Sequence, residues 1–201
     1  MSPEKARNTI TILGIPGSLR KGSYNKAMLR AAQELAPAEV ELTIFDLDGI
    51  PLFNQDTENQ PPPRVSEFKS KIRRADAILF STPQYSKSIP GVLKNALDWG
   101  VRPEGDNAFD GKPAAIVSAS TGRFGGALAQ YHLRQILVDL NVHPVNDPEV
   151  FVSMAPRGFA AEGKLIDEDS RRQLRRLLEV LVGWTIRLKA VGQSEGSAPG
   201  E

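Results

Sequence analysis

The chain has 201 residues, 40% of them hydrophobic, enough for one sizeable core and at the upper end of a single compact domain. Twenty-five Lys and Arg meet twenty-four Asp and Glu for a net charge of +1, so no global field draws the chain to nucleic acid or an anionic membrane. Cysteine is absent, which removes disulfides, thiolate metal sites and thiol nucleophiles together and suits a reducing compartment.

The polar start Met1 to Asn8 and the short apolar run Ile10 to Ile15 match neither a signal peptide nor a membrane span, so a soluble, cytoplasmic protein is expected. Thr9 to Ile15 reads as a buried first strand, because β-branched residues dominate and Pro16 and Gly17 follow. Asn25 to Leu35 carries Ala27, Met28, Ala31, Ala32 and Leu35 on one helical stripe and stops before Pro37. Val40 to Phe45 alternates as a second strand. A long Pro-rich connection over 49–63 then leads into a helix from Arg64 to Ala75.

Ala77 to Ser81 is the third strand, and Pro90 opens a helix through Trp99. Pro113 to Ala119 is a fourth strand, Ala127 to Leu140 a helix, and Val142 to Phe151 holds a fifth strand. The last helix runs from Asp169 to about Val191, with Leu174, Leu177, Leu178, Leu181, Trp184 and Leu188 at helical spacing. One domain over 1–191 and a disordered tail over 192–201 are therefore expected. Strand and helix in alternation predict an α/β fold of flavodoxin-like arrangement, a five-stranded parallel sheet with helices on both faces. Ligands then sit beyond the carboxyl ends of the strands.

Three loops leave strands one, three and four on that edge. Gly17 to Asn25 has the small residues, hydroxyls (Ser18, Ser23) and helix start that close amides around an anion. It nearly spells a nucleotide-triphosphate loop, but Ser23 stands where the Lys belongs, and an ordinary N-capped turn accounts for the same residues. In the second loop Pro83 and Pro90 fix the path, so that intervening amides face a planar heterocycle and not one another, and Tyr85 is exposed. The third, Ser118 to Gly126, permits close backbone approach through three glycines.

With GSLRKGSYN, PQYSKSIPGVLKNALDW and GGALAQYHLRQIL, the chain resembles the NAD(P)H-dependent FMN reductases of the quinone and chromate reductase type, a flavodoxin-like family that includes azo-dye reductases. The resemblance covers about Thr9 to Phe151. It implies that Ser18, Arg20, Ser23, Tyr24 and Asn25 surround the FMN phosphate, that Pro83, Gln84, Tyr85 and Ser86 line the flavin ring, and that Ser120, Gly122 and Gly125 approach it from the third loop. It further implies NADPH or NADH as electron donor, quinones, chromate, azo compounds or similar small acceptors, and a homodimer or homotetramer. The family usually reads Pro-Glu-Tyr-Asn in the second loop, so Gln84 and Ser86 remove one negative charge beside the flavin.

Cofactor chemistry of this kind needs positioning and polarisation, not a catalytic residue. Consistently, no G-x-S-x-G follows a strand to make a nucleophile elbow, and the two histidines, His132 and His143, are separate and assigned to packing or surface roles, with no metal site. Arg102 and Arg123 are candidate substrate contacts with Tyr85, although a solvated surface role is open for each arginine. Leu93, Leu97 and Tyr131 are candidates for an apolar subunit surface. The rival reading is a non-enzymatic flavodoxin-like electron carrier or FMN-dependent partner-binding protein.

Overall fold

In the computed structural model, which describes residues 9–195, strands and helices alternate as the hydrophobic pattern requires. They are β1 (Ile10–Pro16), α1 (Tyr24–Leu35), β2 (Val40–Ile44), a 3-10 turn (Gln55–Thr57), α2 (Pro63–Arg74), β3 (Ala77–Ser81), α3 (Gly91–Val101), β4 (Pro113–Ala119), α4 (Ala127–Asp139), β5 (His143–Pro144), β6 (Val150–Val152), α5 (Ala155–Gly158) and α6 (Glu168–Glu195). Every strand pair is parallel and the order is β2-β1-β3-β4-β5, with β6 also on β4, which is the flavodoxin-like order.

β3 and β4 are buried at every position, as expected of central parallel strands covered on both faces. Helices α1 and α6 cover one face, where Met28, Leu29 and Ala32 pack with Leu174, Leu178 and Leu181. Helices α2, α3 and α4 cover the other through Phe68, Ile72, Leu93, Leu97, Leu133 and Leu137. Leu93 and Leu97 are therefore core residues, 0% and 1% exposed, and not the subunit surface expected of them. The exposed apolar residues of α4 are Leu128, Tyr131 and Val138.

The expected fifth strand is two pieces. β5 pairs with Pro113 and Ala114 at the start of β4, and β6 pairs with Val117 to Ala119 at its end. Asp147-Pro148 lies between them, and proline has no amide to donate to a ladder. Helix α6 continues past Val191, so residues 192–195 of the expected tail are helical. Residues 196–201 of that tail and 1–8 of the expected domain lie outside the described residues.

At the amino edge of the sheet, Asp76 accepts from the Thr11 amide at 2.8 Å and its hydroxyl at 2.9 Å and pairs with Lys189 at 2.6 Å. Burial pushes this carboxyl up, but Lys189 and Thr11 outweigh it and hold its pKa below the usual carboxylate value. A depressed carboxylate adds stability at neutral pH that is lost as the pH falls through its folded pKa. Asp76→Asn is expected to lower neutral-pH stability and flatten the acid-side decline in urea midpoints.

Two glycines give opposite expectations. A Cβ at Gly183, inside α6, meets nothing within 4 Å, so Gly183→Ala is expected to stabilise by about 0.5–1 kcal/mol through reduced unfolded-chain freedom. A Cβ at Gly100 would enter the Phe109 ring, and Gly100→Ala is expected to cost about 1–3 kcal/mol as an overpacked site. Thermal melts of both variants check the pair.

Candidate functional site

The three expected loops do meet at the carboxyl edge of the sheet, and one buried side chain ties their roots together. Asn25, 2% exposed in the first turn of α1, donates from Nδ2 to the Ala119 carbonyl at 2.9 Å. Its Oδ1 accepts from the Ala119 amide at 3.0 Å and the Ser81 hydroxyl at 3.2 Å. The helix start after β1 is thereby fixed to the last residues of β3 and β4. Gly17 and Thr82 continue the seam, donating to Ser81 O at 2.8 Å and Val117 O at 3.0 Å.

The first loop forms an anion-ready concavity. Ser18 and Ser23 are buried, and Ser23 caps α1 by accepting from the Asn25 and Lys26 amides. Ser18 Oγ accepts from the Arg20 amide at 3.3 Å. Both hydroxyl protons therefore stay available to donate. Among the described residues nothing accepts from the amides of Lys21, Gly22 or Tyr24, the backbone state that suits a phosphate at a helix start. Arg20 is exposed, with its guanidinium carbon 5.7 Å from the centre of the Tyr24 ring, which itself packs on Phe159. Asn25 serves the frame, with its Oδ1 and one Nδ2 proton taken by Ala119 and Ser81.

In the second loop Pro83 is buried and Tyr85 is 52% exposed. The expectation that the amides between the prolines avoid one another fails for Tyr85 and Ser88, which bond reciprocally at 3.0 and 2.9 Å and close a tight turn through exposed Ser86. Gln84 Oε1 is buried and has no hydrogen-bond partner. A buried carbonyl left unpaired costs about 1–3 kcal/mol, so it points to a donor from outside the chain.

In the third loop, Ser120 is knitted to the strand edge: its amide donates to Val152 O at 3.0 Å, and its carbonyl accepts from the Ala155 amide at 2.9 Å. Its hydroxyl accepts from the Gly122 amide at 3.1 Å. Gly125, at φ +60°, is glycine for the fold's own sake, since a Cβ there would lie 2.9 Å from Phe151 Cβ and 3.0 Å from its carbonyl carbon. Packing on β6 is thus a reason for this glycine beside the ring approach expected of it. At Gly122 the nearest atom to a Cβ is Ser120 Oγ, 3.6 Å away, so no such clash dictates that glycine. Arg123 is exposed 5.0 Å from the Phe124 ring centre, and Phe124 is 61% exposed.

Arg102 is not brought to this rim. It follows α3, whose other end meets the second loop, and it forms a two-pronged pair with Glu58 at 2.6 and 2.9 Å. The Glu58 hydrogen bond raises its already high pKa, and its role is to pin the connection after β2. Sequence reasoning missed the bond between Ser88 Oγ and His132 Nδ1, 2.7 Å long, which joins the second loop to α4. A cavity of about 710 Å³ lies beside β6 and α6, where Asp147, Asp167 and Asp169 share the lining with Arg157 and Arg176, and the Met154 amide on its wall donates to the third loop's Gly122 carbonyl.

A family-wide sequence model described as NADPH-dependent FMN reductase matches residues 10–157. The chain belongs to this family. It is 51% identical over 181 residues to an NAD(P)H-dependent FMN reductase of Pseudomonas aeruginosa, covering 90% of this chain and 97% of the relative. It is 43% identical over 191 residues to an NAD(P)H:quinone oxidoreductase of Solanum tuberosum, covering 92% and 97%. Among solved structures it is similar to FerB, a flavoenzyme NAD(P)H:(acceptor) oxidoreductase of Paracoccus denitrificans, with a TM-score of 0.82 and 34% identity over 89% of this chain and 98% of that one. Membership makes the protein an oxidoreductase that works with FMN and a reduced nicotinamide dinucleotide.

The residues present fit FMN. The phosphate matches the free amides and hydroxyls of the first loop, and the donors on the flavin ring and ribityl chain match the unpaired Gln84 oxygen. Asn25→Leu is expected to destabilise the protein by about 2–3 kcal/mol, since the Ala119 peptide and Ser81 hydroxyl lose their buried partner. FMN affinity is expected to fall with it, both measured by denaturant titration and flavin fluorescence.

Proposed function

We propose that the three-loop rim holds FMN and that the protein uses it to pass two electrons from NADPH or NADH to quinones, with chromate, azo compounds and similar small acceptors also served. The observation that carries this reading is the coincidence, on one rim tied by Asn25, of free first-loop amides with the buried unpaired oxygen of Gln84. The relatives named above as FMN and quinone reductases support the reaction class.

Ser18, Ser23 and the amides of Lys21, Gly22 and Tyr24 receive the phosphate, and Arg20 neutralises its charge. Pro83, Gln84 and Ser86 line the ring edge, with Gln84 Oε1 accepting from a flavin donor. Ser120 and Gly122 close the third side. Held there, FMN would supply two-electron redox chemistry between the nicotinamide and the acceptor. The protein's contribution is therefore placement. Tyr85 and Phe124 give an exposed aromatic surface for a flat acceptor or nicotinamide, and Arg123 offers a positive charge to an anionic one.

A homodimer or homotetramer follows on the same reading, with the exposed Leu128, Tyr131 and Val138 of α4 offered to a second copy. No helix among the described residues is long and apolar enough to cross a membrane, and a cytoplasmic location accords with the cysteine-free sequence.

Purified protein is expected to be yellow, to bleach under NADPH without oxygen, and to recolour on adding benzoquinone. Rapid NADPH consumption with the quinone separates an enzyme from a carrier. Ser18→Asp or Arg20→Glu is expected to weaken FMN binding about tenfold or more, because a carboxylate about 4 Å from the phosphate repels it by about 1–4 kcal/mol. Unchanged flavin stoichiometry in both variants overturns the phosphate assignment.

A further inference from the structure

Between Pro83 and Pro90 the chain closes a two-residue hairpin, with Tyr85 and Ser88 exchanging backbone hydrogen bonds across it. The two residues inside, Ser86 and Lys87, lie at φ +48° and +64°. A turn with both central residues left-handed is the kind that favours Asn-Gly, since the Cβ of an ordinary L residue is crowded against the backbone there. Neither serine nor lysine has an intrinsic preference for it. Such a conformation persists only where the surroundings over-determine it.

One side chain from another element reaches the turn. His132 Nδ1 lies 2.7 Å from Ser88 Oγ, and in either tautomer one of the two groups donates and the other accepts. His132 sits on a fixed base, because its helix neighbours Ala129 and Leu133 are fully buried against the sheet. The turn also carries Tyr85, whose ring stands over half exposed beside the unpaired Gln84 oxygen.

We propose that His132 is a positioning residue: its bond to Ser88 holds the strained turn, and Tyr85 with it, in the arrangement that sets acceptor access to the flavin edge. The access part rests on the reading of Pro83 to Ser86 as ring-lining given above. Because the bond works against backbone strain, losing it matters only while the strain remains. Relieving the strain inside the turn therefore makes the bond dispensable, which a surface role for His132 does not predict.

The test uses the holoenzyme and four variants: His132→Leu, Ser88→Ala, His132→Asn, and Lys87→Gly combined with His132→Leu. Amide exchange at Tyr85 and Ser88, and kcat and KM for benzoquinone, are measured on each. His132→Leu and Ser88→Ala are expected to speed exchange at both amides about three- to tenfold, the range of one hydrogen bond. They are expected to raise the benzoquinone KM several-fold with the FMN stoichiometry kept. His132→Asn, which keeps a polar group near the Nδ1 position, restores both values. So does Lys87→Gly in the His132→Leu background, since glycine takes the left-handed region without steric cost.

Unchanged exchange and KM in both His132→Leu and Ser88→Ala overturn the proposal, as does failure of Lys87→Gly to rescue. If Ser18→Asp loses its FMN while His132→Leu moves neither quantity, the cofactor reading stands and the positioning role falls. If Ser18→Asp and Arg20→Glu both keep their FMN, the cofactor reading falls and takes the access claim with it.

Discussion

The buried amide of Asn25 is the interaction on which the rim depends. β3 and β4 end side by side, and the Ala119 peptide at the end of β4 turns both its amide and its carbonyl toward the helix start after β1. A buried peptide without partners costs several kcal/mol, so something must fill that gap. A primary amide is the side chain that donates and accepts on one planar head, and Asn at the second position of α1 reaches where a longer Gln would overshoot. Ser81 then takes the remaining capacity of Oδ1. Three turns that are separate in sequence become one surface, and the helix start of α1 is held facing it.

Once that frame is fixed, the residues of the rim divide by what they have left to give. Asn25 and Gly125 serve the fold, the first through Ala119 and Ser81 and the second through close packing with Phe151, while Ser120 fixes its backbone to Val152 and Ala155 and keeps its hydroxyl proton. Gly126 belongs with them, since a Cβ there would lie 2.7 Å from Ser118 Cβ. The Ser18 and Ser23 hydroxyl protons, the Gln84 oxygen and the Tyr85 ring remain uncommitted. Glycine and serine thus look alike in the sequence of the third loop, yet only Gly122 lacks a packing reason for having no side chain.

What was legible in the sequence follows the same division. β3 and β4 were readable residue for residue, because strands covered on both faces leave an unbroken apolar run bounded by polar turns. The rim was readable too, since in a parallel sheet every strand-to-helix loop emerges on the carboxyl edge. Direction inside a helix was not. Arg102 follows Trp99 closely in sequence, but eleven helical residues rise about 16 Å and carry it to the far end of α3, toward Glu58. Leu93 and Leu97 share a face with Ala96, and only the position of the sheet says that this face points inward. The turn through Ser86 and Lys87 left no trace because its usual Asn-Gly signature is missing, and its partner His132 is forty-four residues beyond Ser88.

Charge shows most clearly how a neutral chain can present an anion site. The loops over 17–23, 82–90 and 120–126 contain Arg20, Lys21, Lys87 and Arg123 and no Asp or Glu, a local charge of +4. With +1 for the whole chain, the remainder carries +1 − 4 = −3. At physiological ionic strength the Debye length is about 8 Å, so charge farther off than that is largely screened while the four cations act on anything entering the rim. Net charge therefore predicted the absence of a global field and said nothing of a local one. The same separation bears on the carrier reading, in which docking to a protein partner would be guided by the charge of a broad face. Here the three loops carry four cations and no carboxylate, so a phosphate group, a dinucleotide or a small anionic acceptor meets net positive charge over the last few ångströms of its approach to them.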